Sequence, residues 1–145
     1  MPARRSTKSS TDTRNEAYVD TSALIAFADR SDSYHALFRR LFADPPTLIT
    51  TILVVAEGHG WFLKRYDAAK GLQFLSMVEA MPLAIFSAGP AQQQAGFALI
   101  RKYSDQDLTL TDAIGLHLMD SRRIRVCWST DFLLGLTKVP LVIHA

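Results

Sequence analysis

Cysteine and long apolar runs are almost absent from this sequence, and each absence excludes a class of protein. The single cysteine, Cys127, excludes an intrachain disulfide, and no group of cysteines and histidines has the spacing of a zinc site. Both features favour a cytoplasmic protein in a reducing compartment. The apolar runs are far shorter than the roughly 20 residues that span a bilayer, and polar residues follow Met1. We therefore expect neither a membrane span nor a signal peptide.

The excess of positive charge lies in the first residues of the chain. The net charge is +2, and it comes from residues 1–16, because basic and acidic residues balance in the remainder. This segment has almost no apolar content with which to offset the entropy of ordering. We therefore predict a disordered basic tail over 1–16 and one domain over 17–145. One interpretation of this tail is that it attracts phosphate loosely. The favoured interpretation is a solubilising extension or the product of a late-starting gene model.

Hydrophobic patterning from Ala17 onward predicts an α/β domain. Short apolar runs alternate with amphipathic helical patterns, which is typical of a mostly parallel sheet flanked by helices in a three-layer sandwich. Strands are predicted over 17–19, 48–50, 83–86, 124–128 and 140–143, which makes a central sheet of five strands. Helices are predicted over 22–28, 33–42, 52–66, 68–80 and 90–103, and a last helix, capped by Thr109 or Thr111, ends near 121.

Two glycines interrupt the helix predicted over 52–66. Gly58 and Gly60 lower the helix propensity of this segment, and they predict that another backbone approaches closely there. His59 lies two positions from Glu57 and therefore nearly on the opposite side of the helix. This placement favours a surface or core role for His59 over that of a general base.

Four acidic residues are predicted to lie at one edge of the sheet. Asp20 ends the first strand, and Asp131 follows the fourth. Asp112 lies in the first turn of a helix, and Glu57 lies about one and a half turns into the helix after the second strand. In a parallel sheet the carboxyl ends of the strands and the amino ends of the following helices share one edge, and ligands bind there where the strand order switches. We therefore expect the four side chains to converge.

Convergence of several carboxylates requires a positive charge. The carboxylates repel one another, and some of them take up protons unless a cation neutralises them. Oxygen ligands without nearby histidines or thiolates favour magnesium or manganese over zinc. Such a metal activates water and stabilises charge on a phosphoryl oxygen, which indicates phosphodiester hydrolysis.

Each acidic residue also has an ordinary structural interpretation. Asp20 could cap the next helix, Asp112 could be a helix cap or a dipole partner, and Asp131 could be a turn residue. Glu57 follows the apolar run 54–56, which predicts a largely apolar turn where an unpaired glutamate is costly. The pattern of four is therefore more informative than any one of its members.

Four blocks of this sequence resemble the PIN-domain family, and within it the VapC-like toxins of bacterial toxin–antitoxin pairs. Each block contains one of the acidic residues, and the blocks follow the family's order. They are Tyr18–Leu24, Thr51–Glu57, Leu108–Ala113 and Ser129–Phe132. The resemblance runs from about Ala17 to the end of the chain and is carried by four blocks together, so it is far more specific than a single Val-Asp-Thr-Ser motif.

The resemblance implies a metal-dependent endoribonuclease. Its metal would be magnesium or manganese, and its substrate single-stranded or looped RNA, often tRNA or ribosomal RNA. Asp20 and Asp112 match the family's principal metal ligands. Glu57 and Asp131 match the remaining acidic positions, which bind metal directly or through water.

The resemblance also implies supporting residues and partners. Ser22 and Thr130 match hydroxyl residues that orient a carboxylate or a bound water. A cognate antitoxin that lays a peptide into the active-site groove is expected, as is a homodimer. The alternative is a catalytically silent PIN fold that binds RNA or protein, although binding alone would not keep mutually repelling carboxylates. A phosphatase or phospho-acceptor domain is disfavoured, because Ser22 stands where the former has an aspartate and no acidic pair precedes Asp20.

Other polar and aromatic residues are weaker candidates. Asp107, and less so Asp105, could add a ligand, but a solvated loop explains both equally well. Cys127, Trp61 and Trp128 are predicted to be core residues, although an exposed tryptophan could stack on an RNA base. Some of the basic residues at helix ends are expected to meet phosphates. These are Arg39–Arg40, Lys64–Arg65, Arg101–Lys102 and Arg122–Arg123.

Overall fold

The computed structural model describes residues 15–144. The tail predicted over 1–16 therefore lies outside the described residues, apart from its last two positions. One of these, Glu16, is the first residue of the first strand and is buried. The first strand thus begins one residue before its predicted start.

The described chain alternates strands with helices, as the hydrophobic pattern predicts. Its elements are β1 (Glu16–Val19), α1 (Thr21–Ala28), α2 (His35–Ala43), β2 (Thr47–Thr51), α3 (Ile52–Arg65), α4 (Ala68–Ala80), β3 (Leu83–Phe86), α5 (Pro90–Lys102), α6 (Leu110–Arg122) and β4 (Val126–Trp128). Two 3-10 helices follow, over Phe132–Gly135 and Val142–His144. The predicted β3 agrees with the observed strand at both ends, and Thr109, one of the two predicted caps, begins α6.

The four strands form one parallel sheet in the order β3-β2-β1-β4. The chain builds outward from β1 through β2 to β3 and then returns to the other side of β1 to add β4. The strand order therefore switches between β1 and β4, and the carboxyl ends of these two strands flank the crevice where such sheets bind ligands. Every residue of β1 is buried, as expected for the central strand of a sheet covered on both faces.

The prediction of a fifth strand over 140–143 is wrong for the described chain. This segment makes a single parallel bridge, between Leu141 and Cys127, and then turns into a 3-10 helix. The carbonyl of Pro140 accepts a hydrogen bond from the Cys127 N–H at 2.9 Å. Proline has no N–H to return to the ladder, so the pairing does not extend along β4.

The core lies on both sides of the sheet. Tyr18, Phe38 and Leu24 are among its largest fully buried side chains. Trp128 and Cys127 are buried, which confirms their predicted core positions, and the Trp128 ring packs edge-on against Phe42 at a centroid distance of 5.0 Å. No helix within residues 15–144 is long and apolar enough to cross a membrane.

Close packing between α3 and α4 explains one of the two glycines in α3. A Cβ at Gly58 would lie 2.4 Å from the ring of Phe74. Side chains make this approach, not the backbone that the sequence predicts. On the facing helix, a Cβ at Gly71 would lie 3.1 Å from the His59 ring. His59 therefore packs between the two helices, in agreement with a structural role.

Candidate active site

The four predicted carboxylates line one open cavity of about 410 Å³. Asp20 directly follows β1, and Asp131 lies just after β4. Asp112 lies in the first turn of α6, and Glu57 lies in the second turn of α3. The predicted convergence at the carboxyl edge of the sheet is therefore observed, although the sequence separations are large.

Asp20 is held in place at the switch between β1 and β4. Its side chain is only 4% exposed. The Asp20 Oδ2 accepts hydrogen bonds from the Ser22 hydroxyl at 2.9 Å and from the Ser129 hydroxyl at 2.8 Å. The Asp20 N–H donates to the Trp128 carbonyl at 3.0 Å. No side-chain cap hydrogen bond from Asp20 to α1 is found, so the carboxylate is not an ordinary helix cap.

Ser129 is a supporting residue that sequence reasoning missed. Thr130 was the predicted hydroxyl, but the hydroxyl that reaches Asp20 from this loop belongs to Ser129. Thr130 contributes its backbone N–H, which donates to the Ser22 hydroxyl at 3.0 Å. Val19 pairs with Trp128, so the next residues, Asp20 and Ser129, emerge side by side. The strand register was the signal that could have identified Ser129.

Asp112 is a buried acid in an acidic environment. Its side chain is 6% exposed. The Thr109 hydroxyl caps α6 by accepting a hydrogen bond from the Asp112 N–H at 3.1 Å. The Asp112 carboxylate is therefore not the cap of this helix. Burial, followed by repulsion from Asp20, raises the pKa of Asp112 to about 7, and the charges of Asp131 and Glu57 add to this.

Burial also raises the pKa of Asp20, and the nearby Asp131 adds to this effect. The hydrogen bonds from Ser129 and Ser22 stabilise the charged form and oppose the rise. Two buried carboxyl groups thus have a raised proton affinity in one cavity. A bound cation would reverse this preference.

Asp131 and Glu57 are less enclosed. Asp131 is half-buried, and its Oδ1 accepts a hydrogen bond from the Leu133 N–H at 3.0 Å, so it also begins the 3-10 helix. Glu57 is exposed, so the buried position that its apolar neighbours predicted for it is not observed. Val54 and Val55 face the core, whereas the helical rotation turns Glu57 toward the cavity.

The remaining candidates divide clearly. Asp105 and Asp107 are exposed, and neither lines the cavity of the four carboxylates. Trp61 and Lys64 do line it, so Trp61 is not purely a core residue.

A larger cavity of about 510 Å³ lies between the end of α1, α3 and α4. Its lining includes Asp29 but none of the four clustered acids, so volume alone does not identify the site.

The donor chemistry of the carboxylate cavity fits a hard divalent cation. Among the described residues that line it, carboxylates and hydroxyls supply oxygen donors, and none is a histidine or a cysteine. Within residues 15–144, no three histidine, cysteine or acidic side chains form a ready-made set of metal ligands. An open arrangement agrees with magnesium, which keeps several waters and commonly takes one or two carboxylates from a protein.

Comparison with known proteins identifies sequence relatives of this chain. The family description "PIN domain" matches residues 17–132. Ribonuclease VapC26 of Mycobacterium tuberculosis is 26% identical over 114 residues, which cover 78% of this chain and 84% of that protein.

Solved structures with the same fold include several toxins. VapC20 of Mycobacterium tuberculosis, described as a toxin that cleaves the sarcin–ricin loop, is similar with a TM-score of 0.78 and 17% identity over 85% of this chain and 95% of that one. A toxin–antitoxin complex from Klebsiella pneumoniae has a TM-score of 0.59 and 21% identity, covering 87% and 95% of the two chains. VapBC2 of Rickettsia felis, bound to a promoter DNA fragment, has a TM-score of 0.63 and 11% identity over 87% and 96%. At these identities the structures support the fold, and the sequence match over residues 17–132 assigns the family: the chain belongs to the PIN domain family.

Proposed function

We propose that this protein is a magnesium- or manganese-dependent endoribonuclease and the toxin of a toxin–antitoxin pair. The observation that carries the proposal is the meeting of Asp20, Glu57, Asp112 and Asp131 in one cavity, with two buried acids whose pKa values are raised. Burial of like charges is costly, so their retention requires a compensating function. Membership of the PIN domain family and the similarity to ribonuclease VapC26 support the same conclusion.

Asp20 and Asp112 are the proposed principal metal ligands. Glu57 and Asp131, which are less buried, would complete the coordination or orient a water molecule. When bound, the metal would stabilise negative charge on the phosphate and lower the pKa of a nearby water. Asp112 must give up its proton to act as a ligand, so we expect metal uptake to release protons near neutral pH.

The hydroxyl groups of the site hold the carboxylates in place. The Ser22 and Ser129 hydroxyls both donate to Asp20, which leaves neither in the position of a free nucleophile. The Asp131 N–H donates to the Ser129 hydroxyl at 2.9 Å, so the two acids share one support. Hydrolysis would therefore proceed by in-line attack of an oriented water, without a covalent intermediate. Its products would be a 5′-phosphate and a 3′-hydroxyl.

The names of the similar proteins support a class of substrate and a class of partner. We infer an RNA substrate, because ribonuclease VapC26 is a sequence relative and VapC20 is described as cleaving the sarcin–ricin loop. The classes to examine first are tRNA and ribosomal RNA, which the family resemblance implies. The complexes from Klebsiella pneumoniae and Rickettsia felis support a cognate antitoxin as partner. A homodimer and a cytoplasmic location belong to the same proposal.

The test compares wild-type protein with Asp20→Asn after expression in cells, and maps the ends of cleaved RNA. Asp120→Asn is the matched control, because Asp120 is an exposed acid that does not line the cavity. We expect new 5′-phosphate ends with wild type and Asp120→Asn, and none with Asp20→Asn. Cleavage at the wild-type level by Asp20→Asn would contradict the proposal. Calorimetric titration without specific magnesium uptake would favour a silent binding module instead.

A further inference from the structure

Gly60 is a glycine in the interior of α3 that internal packing does not require. A Cβ at Gly60 would meet nothing within 4 Å among the described residues. Other helical glycines do have close neighbours. A Cβ would lie 2.4 Å from Phe74 at Gly58, 2.9 Å from Ile114 at Gly96 and 2.6 Å from the Tyr18 hydroxyl at Gly115. Glycine is a poor helix former, so its presence at position 60 needs a reason outside the fold.

The position of Gly60 suggests that reason. Gly60 is exposed and lines the cavity of the four carboxylates. Residues three, four and seven positions apart lie on one side of a helix. Glu57, Gly60, Trp61 and Lys64 therefore form one wall of the cavity, and all four line it.

We infer that this wall of α3 is a nucleotide subsite beside the scissile phosphate. The inference rests on the proposed ribonuclease function and names a part of its substrate site. Gly60 leaves space for a ribose or base to approach the helix. Lys64 binds a phosphate next to the one that is cleaved, and Trp61 offers an aromatic surface to a base.

Lys64 is suited to a phosphate because of its charge and distance. Among the described residues that line this cavity, Lys64 is the only basic one, and the other charged residues are acidic. Seven residues at 1.5 Å of rise separate it from Glu57 by about 10 Å along the helix. A cation at this distance attracts the RNA backbone without occupying the place between the carboxylates.

Trp61 has a fixed orientation beside Gly60. Its ring is half-buried and packs edge-on against Phe62 at a centroid distance of 4.9 Å, and the Arg65 guanidinium lies over one face of the ring, 5.9 Å from its centroid. An aromatic ring held in this way is a stacking surface for an unpaired base. The subsite therefore favours single-stranded or looped RNA, whose bases are free to leave a helix.

The charge pattern favours RNA over a protein segment as the occupant. A cationic peptide, such as the antitoxin segment expected in the active-site groove, would pair with the carboxylates, whereas Lys64 would repel it from this wall. An RNA strand needs a metal at the carboxylates and a cation at the adjacent phosphate, and the wall supplies the second of these.

The central experiment changes Gly60 to alanine and to leucine in the full chain. Since a Cβ at position 60 meets nothing within 4 Å, we expect Gly60→Ala to fold and to raise Tm by about 3 °C through better helix propensity. Thermal unfolding establishes that Gly60→Leu, whose side chain is longer, is also folded before its binding is compared. Affinity for a short fluorescein-labelled single-stranded oligoribonucleotide, measured by anisotropy, falls about threefold for Gly60→Ala and at least about tenfold for Gly60→Leu. Higher stability with weaker binding is the opposite of what a structural glycine would produce.

Lys64→Ala tests the phosphate contact. We expect weaker binding and a salt-dependence slope that decreases by about 0.7, the value for one phosphate contact to a single strand. Lys102→Ala, a cation at the end of α5, is the matched control and keeps the wild-type slope. Trp61→Leu weakens binding by about tenfold, whereas Trp61→Phe retains most of it.

The outcomes separate this inference from the proposed function. Wild-type RNA affinity and cleavage in Gly60→Leu would overturn the subsite, even if that variant lost binding to a cationic peptide. Binding by wild type without cleavage, weakened by Gly60→Leu, would contradict the ribonuclease and support the subsite. Absence of both binding and cleavage in wild type would contradict both.

Discussion

The two ends of β1 each hold a buried carboxylate, and the charged groups around these two carboxylates are of opposite sign. Glu16, at the start of the strand, accepts a hydrogen bond from the Arg122 guanidinium at 2.9 Å. Asp20, just beyond the other end, is held by two serine hydroxyls and lies near the acids Asp112 and Asp131. One carboxylate has its cation within the fold. The other has neighbours that increase its need for one.

A single helix supplies both environments. α6 contributes Asp112 from its first turn to the acidic cavity and Arg122 from its last residue to the ion pair. Each charge also suits the helix dipole, which favours anions at the amino end and cations at the carboxyl end. The comparison teaches that burial of a carboxylate alone does not identify a functional site. A functional site is indicated when a buried carboxylate lies near other acids and has no cation beside it among the described residues. The following predictions test this difference between Asp20 and Glu16.

Neutralising Asp112 has the largest expected effect. Asp112→Asn should reduce RNA cleavage at least about a thousandfold, because a proposed metal ligand is lost. In the presence of a chelator the same variant should have a higher Tm than wild type, since one of several repelling buried acids is removed. Cleavage assays and thermal unfolding measure the two effects. A lower Tm with retained cleavage would make Asp112 a structural acid like Glu16.

Breaking the ion pair should give the reverse result. Arg122→Ala leaves Glu16 buried without its cation and also removes a guanidinium 5.0 Å from the Phe86 ring. We expect a loss of about 2 kcal/mol in the free energy of unfolding, with cleavage by the folded fraction unchanged. Urea unfolding measures the loss, and Arg101→Ala, at an exposed helix end, is the control. Full stability in Arg122→Ala would remove the contrast between the two ends of β1.

The acidic cavity should make stability depend on pH in a definite direction. The pKa of Asp112 is raised from 3.8 to about 7, so the folded protein holds a proton that the unfolded chain has already released. The stabilisation is complete below about pH 4 and is lost as the pH rises through about 7. We expect chelated protein to lose about 2 kcal/mol over this window, less than the full shift because solvent reaches the cavity.

Unfolding of chelated protein at several pH values measures this loss. Asp112→Asn should flatten the profile, and saturating magnesium should raise Tm most near pH 7.5, where the carboxylates are ionised. A chelated wild type whose stability increases between pH 5 and 7 would contradict the assignment of repulsion to this cavity.

The smallest effect concerns the support of Asp20. Ser129→Ala removes one of two hydroxyls that bind the Asp20 Oδ2 and should reduce cleavage about tenfold. Its fold should be retained, because Ser22 still donates to the same oxygen. Thr130→Val is the matched control, since Thr130 contributes its backbone N–H, which valine keeps. Equal losses in both variants would restore the sequence-based assignment of Thr130.

Local features of the fold were largely predictable from the sequence. The Thr109 hydroxyl caps α6 by accepting the Asp112 N–H at 3.1 Å, which confirms one of the two caps predicted for that helix. Caps and strand patterns depend on residues a few positions apart, so they are readable along the chain. The predicted fifth strand failed because its pairing depended on a partner strand and on Pro140, which has no N–H to donate.

The sequence by itself determined the parallel α/β class, the family and the edge of the sheet at which the acids meet, because strand direction and helix starts follow from local pattern. Only the tertiary structure decided that Ser129 supports Asp20, that Glu57 is exposed and that Arg122 neutralises Glu16. The Ser129–Asp20 and Arg122–Glu16 contacts join residues more than 100 positions apart. Such contacts depend on strand register and on the rotation of each packed helix, which no local pattern specifies.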